Sequence, residues 1–391
     1  MTKGLARSLL LAVCWWPAGA PVGLAEGIKT ETGRLPELIA RLASREYVLG
    51  SPSSDSRTYV DPAPALHAFR HLASAMAWGD VAAAARQAAQ LDYEVVQFTD
   101  SDTQRDYFVL REDLQAVDAI RGWGSYIVNP NSRTDAIVEV PHPMADVHTP
   151  EIGGKIFEQC QAKGFLLAGT HRDKADVPDL VDSIFHQVHI AWIGPAAQVA
   201  AWQIHGFAAI KHSFPKQAQV VTSTGDGSVA PEVANLDATL KERGLVSFVF
   251  NELSPDAELN KQLNGDVPGA TFASLAGAKN EQGRVSRSLG GSFVHVELEG
   301  SIRADAASRD RAGSAIATVI GGAGQTARAT EKAPAQSAAS DGAAGGEQQA
   351  APIAASDAAE SGSGVRIAAK PVAASPDART ALSNAANELP R

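Results

Sequence analysis

Residues 137–151 read Ile-Val-Glu-Val-Pro-His-Pro-Met-Ala-Asp-Val-His-Thr-Pro-Glu, and they constrain the fold more than any other stretch of the chain. The β-branched run from Ile137 to Val140 favours a strand, and Pro141 ends it because proline has no N–H for a ladder. Thr149 can cap a helix, with Pro150 at the first helical position, where a missing N–H costs nothing. The unit is strand, loop, helix. In an α/β sheet the carboxyl end of such a strand is where sites are built. Here the loop and the first helical turn carry His142, Asp146, His148 and Glu151. Imidazoles and carboxylates this close together form a donor set that zinc takes.

Upstream, residues 26–92 read as a helical segment. Leu35 to Leu42 suits one short helix, and the Ala-rich stretches Ala65–Trp78 and Val81–Leu91 suit a pair parted by Gly79-Asp80. From residue 93 alternation takes over. Glu94 to Thr99 and Tyr107 to Arg111 flank the polar turn Asp100–Arg105 as a hairpin. Ser125–Val128 and Ala136–Val140 are expected to pair across the polar turn that begins at Asn129. Strands then alternate with helices: Phe165–Gly169, Val199–Ile204, Gln219–Thr222, Val246–Phe250 and Phe293–Leu298, with helices over Asp179–Trp192 and near Ala234–Arg243. The expected fold is α/β, a mixed sheet flanked by helices, antiparallel early and largely parallel later.

Composition is uneven along the chain. Residues 325–391 contain no aromatic residue, and nothing after Arg303 reads as core, so 313–391 is expected to be a disordered tail. The α/β domain is thus expected over 93–312. Residues 1–25 read as an export signal, with Lys3 and Arg7 ahead of an apolar core and small residues at Gly23 and Ala25. Cleavage after Ala25 predicts a periplasmic or secreted protein, with no transmembrane segment in the mature chain. The net charge of −10 argues against nucleic acid as partner. Cys14 leaves with the signal, and Cys160 lies on the apolar side of a predicted helix, which reads as a buried filler.

Three predicted strands end at histidines, His142, His171 and His205, and parallel strands bring such endings to one rim of the sheet. Asp146 has ligand-like spacing from His142, although an Asp in a loop also caps its own backbone. Glu151 is the alternative acid, but the helix macrodipole alone favours an acid there. His148 is a further donor. Asp182, His186 and His189 share the flank of their helix away from the apolar stripe, as a solvated face or a second metal pair. On the late strand, His295, Glu297 and Glu299 alternate with Val294, Val296 and Leu298, as the wet face of a half-buried strand or as a source of a general base.

This order of features resembles the zinc metallocarboxypeptidases and their relatives, the N-formylglutamate amidohydrolases and poly-γ-glutamate hydrolases. The resemblance spans about residues 94–303 and lies in motif order. It implies a metallocarboxypeptidase- or phosphorylase-hydrolase-like sheet. It further implies one zinc ion on His142, Asp146 and His205, Glu297 as general base, and Arg172 with His171 as grip for a substrate carboxylate. The family's first pair is commonly His-x-x-Glu, so the Asp of Pro-His-Pro-Met-Ala-Asp shortens that ligand's reach by a methylene. The function implied is hydrolysis of an amide beside a carboxylate in a peptide, γ-glutamyl or N-acyl amino acid substrate. Two other readings stand beside it: a non-catalytic periplasmic metal- or ligand-binding protein, and a metallophosphoesterase needing two ions.

Overall fold

The computed structural model describes residues 27–332, apart from 213–214, 253–255 and 268. The expected export signal and residues 333–391 of the expected tail lie outside the described residues. Strand β1 (Lys29–Gly33) leads into helix α1 (Leu35–Leu42), which buries Leu35, Leu38, Ile39 and Leu42. The Ala-rich pair is α2 (Leu66–Ala77) and α3 (Val81–Ala89), and Asp80 caps α3 by accepting from the Ala83 N–H. The hairpin β2 (Tyr93–Asp100) and β3 (Asp106–Glu112) follows, then β4 (Ser125–Val128) and β5 (Thr134–Val140). Next come α4 (Thr149–Cys160), β6 (Ala162–Leu167), α5 (Ile184–Ile193) and β7 (Ala200–Phe207). The remainder is β8 (Val220–Ser223), α6 (Pro231–Glu242), β9 (Ser247–Val249), α7 (Ala257–Asn264), α8 (Glu281–Ser288), β10 (Phe293–Glu299), α9 (Gly300–Ala304) and α10 (Ala306–Lys332).

These strands form one sheet in the order β1-β2-β3-β4-β6-β5-β7-β10-β8-β9. It is mixed and flanked by helices, antiparallel from β2 to β6 and parallel from β6 through β5 and β7 to β10. The expected pairing of Ser125–Val128 with Ala136–Val140 is corrected. A β5–α4–β6 crossover sets β6 parallel beside β5, and β4 then pairs antiparallel with the other edge of β6.

The expected segment boundaries also differ from the structure. Residues 26–92 are not purely helical, because β1 joins the sheet beside β2. One hydrophobic cluster runs from Leu38 and Ile39 through Val138 and Ile156 to Ile316 and Ile320. Helix α10 therefore crosses the expected 312/313 boundary, with Ala312, Ala315, Ile316, Val319 and Ile320 all buried. Cys160 is buried and unpaired, and burial pushes its thiol up to about 12. No described helix is long and apolar enough to cross a membrane.

Helix α5 is shorter than the sequence predicts. Ser183 caps it by accepting from the His186 N–H, which leaves Asp182 exposed ahead of the helix. His186 and His189 do not face solvent, since α5 packs against α2 on one side and α8 on another. Burial, reinforced by His189 and Arg70, pushes His186 down to about 3. It is thus neutral in the folded chain at pH values where the unfolded chain takes up a proton. Its contribution to stability is complete above the ordinary value of about 6.5 and is lost as pH falls from there toward 3, by about 1.4 kcal/mol per pH unit. The stability gap between wild type and His186→Asn should therefore narrow as pH falls through that window. A constant gap in denaturant melts would show that His186 titrates alike in both states.

Candidate metal centre

Strands β5, β7 and β10 are parallel neighbours, and their register builds the site. Glu139 lies opposite Gln203, Gln203 opposite His295, and His205 opposite Glu297. Cross-strand partners in register share a face, so these side chains form two polar rows on one side of the sheet. Strand β7 runs on to Phe207, so His205 sits within the strand and not at its end. His295 and Glu297 are both buried, where the alternation predicted a wet face; the chain at Gly277 packs directly on the His295 ring, where an added Cβ would stand 2.8 Å from it.

The loop after β5 brings the remaining donors. The Asp146 N–H donates to the His142 carbonyl, a single turn that folds the carboxylate back over the ring. Asp146 Oδ2 also accepts from the Gly206 N–H at 3.0 Å, which ties the loop to β7. His148, with φ of 70°, takes the cap position of α4, while Thr149 is its first helical residue and donates its hydroxyl to the Asp146 carbonyl. Beneath the loop, Gly153 lets α4 lie close on β5, since a Cβ there would stand 2.6 Å from Val140.

His142 Nδ1 and His205 Nδ1 lie 3.1 Å apart, and Asp146 Oδ2 stands 3.2 Å from the first and 3.8 Å from the second. Bonds of 2.0–2.1 Å to a tetrahedral zinc ion place its ligands about 3.3 Å from one another. The tautomers fit as well. His142 Nε2 donates to Asp176 Oδ1 at 2.7 Å, and His205 Nε2 donates to Gln203 Oε1 at 2.6 Å. Both rings thus turn an Nδ1 lone pair toward the same point as the Asp146 carboxylate, an arrangement that calls for a cation. The Arg172 guanidinium meets part of that demand, donating to His142 Nδ1 and lying 3.7 Å from Asp146 Oδ2.

Electrostatics separate the roles. Burial pushes His205 well below its ordinary value, helped by His295 and His142, and keeps its lone pair available. Burial also pulls on His142, but Asp146 and Asp176 outweigh it and hold that ring above the usual value. A metal ion at this Nδ1 would have to compete with that proton. Glu297 is pushed well above the ordinary carboxylate value by burial and by the nearby Asp146, and its Oε2 has no hydrogen-bond partner among the described residues. Among the described residues two donor groups can hold an ion: His142 with Asp146 and His205, and His205 with His295 and Glu297. They share His205, whose Nε2 is spent on Gln203, so one ring cannot serve both. In the first group the Nδ1 atoms and the Asp146 carboxylate converge, and the Glu297 carboxylate lies beside it, opposite His205.

Glu151 and His148 bond each other at 3.1 Å and line a separate apolar cavity beside α1, which leaves Asp146 as the acid of the cluster. A cavity of about 860 Å³ opens over His142, Asp146 and His205 and is lined also by His171, Arg172, Lys211, Lys279 and Arg303. His171 stands on its wall, with Nδ1 accepting from the Asp173 N–H. Asp182 does not join His186 and His189, whose rings stack at 6.3 Å but turn to other partners: His186 accepts from Gln282 and His189 pairs with Glu139. Sequence reasoning missed Asp176, Gln203 and Glu139. The last two had a signal, as polar residues inside runs that otherwise read as buried on both faces.

No family model matches the chain, and no curated protein matches it. Among solved structures it is similar to the Agrobacterium tumefaciens gene product Atu2144, at 10% identity and a TM-score of 0.32, over 51% of this chain and 93% of that one. It is also similar to a bacteriophage poly-gamma-glutamate hydrolase, at 12% identity and a TM-score of 0.28, over 56% and 96% of the two chains. A third similarity is to the Legionella pneumophila LapA aminopeptidase, at 9% identity and a TM-score of 0.30, over 74% and 70%. These are distant likenesses.

Proposed function

We propose that this chain is an exported metal-dependent hydrolase, with zinc as the ion its donors suit, that cleaves an amide bond beside a carboxylate. The observation that carries the reading is the convergence of two Nδ1 lone pairs and one carboxylate next to a buried Glu297 whose Oε2 has no hydrogen-bond partner among the described residues, in the lining of an open cavity. Bound there, a divalent ion supplies Lewis acidity toward a carbonyl oxygen and toward water. His142, Asp146 and His205 would hold it. Three protein ligands leave a fourth position open, as catalytic sites require and closed structural sites do not. That favours hydrolysis over storage. A two-ion phosphoesterase is disfavoured because Asp182, His186 and His189 form no second donor group among the described residues.

Glu297 accepts the proton of the attacking water and returns it to the leaving amine. A carboxylate kept basic by its surroundings is suited to both transfers. Arg172 has to leave His142 Nδ1 when an ion binds, because both need the same lone pair. Its side chain is partly exposed on the cavity wall, so it can swing out and meet a substrate carboxylate with its planar fork. Arg172→Ala should then raise KM for a carboxylate-bearing amide by about 10- to 100-fold, the usual worth of a charge-assisted hydrogen bond, with the metal retained. An unchanged KM would remove Arg172 from substrate binding.

The reading as a whole is tested on the purified mature chain. Metal analysis should find one equivalent of a divalent ion, and N-terminal sequencing should begin at Glu26. Chelation should abolish cleavage of γ-glutamyl and N-acyl amino acid amides, and zinc should restore it. A chain that binds no divalent ion at these residues, or hydrolyses such amides equally well after chelation, refutes the reading.

A further inference from the structure

We infer that Gln203 and Glu139 are positioning residues that commit His205 to binding a metal through Nδ1. The inference rests on the metal reading above and goes beyond it, to what selects the ligand atom. A free imidazole carries its proton on either nitrogen, and only the nitrogen without it can bind a metal. His205 Nε2 lies 2.6 Å from Gln203 Oε1, which can only accept, so the proton is on Nε2. An amide can reverse, however, and a reversed Gln203 would offer its NH2 to Nε2 and drive the proton to Nδ1.

Two neighbours forbid the reversal. Gln203 Nε2 donates to Glu139 Oε2 at 2.9 Å, and Gln203 Oε1 accepts a second bond, from Asn280 Nδ2. Asn280 is itself fixed, because its side-chain oxygen caps α8 by accepting from the Gly283 N–H. Glu139 is held through its other oxygen by His189 Nδ1 at 2.7 Å, and His189 Nε2 lies 3.1 Å from the Ser286 hydroxyl. Reversing Gln203 would set oxygen against carboxylate and NH2 against NH2. Glu139, Gln203 and His189 are fully buried, so water cannot repair such mismatches. The direction of the whole chain of donors is thereby set by α5 and α8 and delivered to His205.

The test is zinc titration by calorimetry, with melting temperature as the check on folding. Glu139→Gln removes the obligatory acceptor and leaves Asn280 as the one restraint on Gln203, so the reversed amide gains population and zinc should bind more weakly, by up to about 10- to 100-fold, as when the hydrogen-bond partner of a metal ligand is lost. The double exchange Glu139→Gln with Gln203→Glu gives His205 an obligatory acceptor again. Its new amide can donate to the new carboxylate and accept from His189, so every donor meets an acceptor. Zinc affinity should return toward the wild-type value, which loss of packing alone would not predict. Nitrogen-15 spectra of the histidines in the zinc-free wild type should show His205 protonated at Nε2 and bare at Nδ1, a readout that needs no variant to fold. Glu139→Gln binding zinc as tightly as wild type, no recovery in a folded double exchange, or an Nδ1-protonated His205 would each overturn the inference. Wild type that binds no zinc while showing the Nε2 tautomer would instead overturn the proposed function and leave this relay standing.

Discussion

Glu297→Gln should keep its metal ion and lose about 10²- to 10⁴-fold in turnover, the usual worth of a general base. The amide is nearly isosteric with the carboxylate, and in the proposed site the ion is held by His142, Asp146 and His205, with Glu297 beside them. What the amide cannot do is take a proton from water. His142→Ala should behave differently, losing ion and activity together, since it removes one of three donors and leaves Asp146 buried beside His205. Metal content and kcat measured on both variants separate the two roles. Full turnover by Glu297→Gln on a substrate that wild type cleaves would reduce Glu297 to a buried strand residue. Glu299, its neighbour on the same face, is no substitute base, because its carboxylate accepts from the Ser301 and Ala209 N–H groups. A null result would therefore send the search to another wall of the cavity, where His171 and Asp176 stand.

The convergence of His142, Asp146 and His205 was legible because it depends on two local facts and one topological rule. Pro141 ends β5 just before His142, one turn brings Asp146 back, and parallel strands put the β7 histidine beside both. What tied these groups down was not legible. Asp176 lies 34 positions beyond His142, in a loop with no pattern of its own. Gln203 and Glu139 announce themselves only as polar letters in apolar strands. Asn280, which bonds Gln203, caps α8, and Ser286, which bonds His189, lies within it; α8 has no apolar stripe and is joined to α5 by the hydrogen bonds of Gln282 and Ser286. Hydrophobic periodicity cannot find an element held that way. The wet face expected for His186 and His189 failed for the same reason, since a helix covered on several sides buries its polar flank too. The missed strand β1, Lys-Thr-Glu-Thr-Gly, is an edge strand that is mostly exposed, and it carries no apolar alternation to read.

Helix α10 gives the second large effect. A chain ending at Ala312, the boundary that composition implied, should fail to fold cooperatively, while one ending at Lys332 should melt close to the full-length chain. The buried positions Ala312, Ala315, Ile316, Val319 and Ile320 recur at steps of three and four, the spacing of one helical face. Alanine and glycine around them disguise that face as low-complexity sequence. The helix packs on α4 and α6, the Arg243 guanidinium donates to Thr318 at 2.8 Å, and Lys155 pairs with Asp310. Removing a buried isoleucine side chain costs about 2–5 kcal/mol, so losing Ile316, Ile320 and Val319 together approaches the whole 5–15 kcal/mol that holds a typical domain. The donor group would be lost with the fold, because α10 packs both on α4 and on β5, the strand that leads to His142. Thermal melts of the two truncations decide it. A chain of 312 residues that keeps the full-length melting temperature would show that α10 covers the core without supporting it.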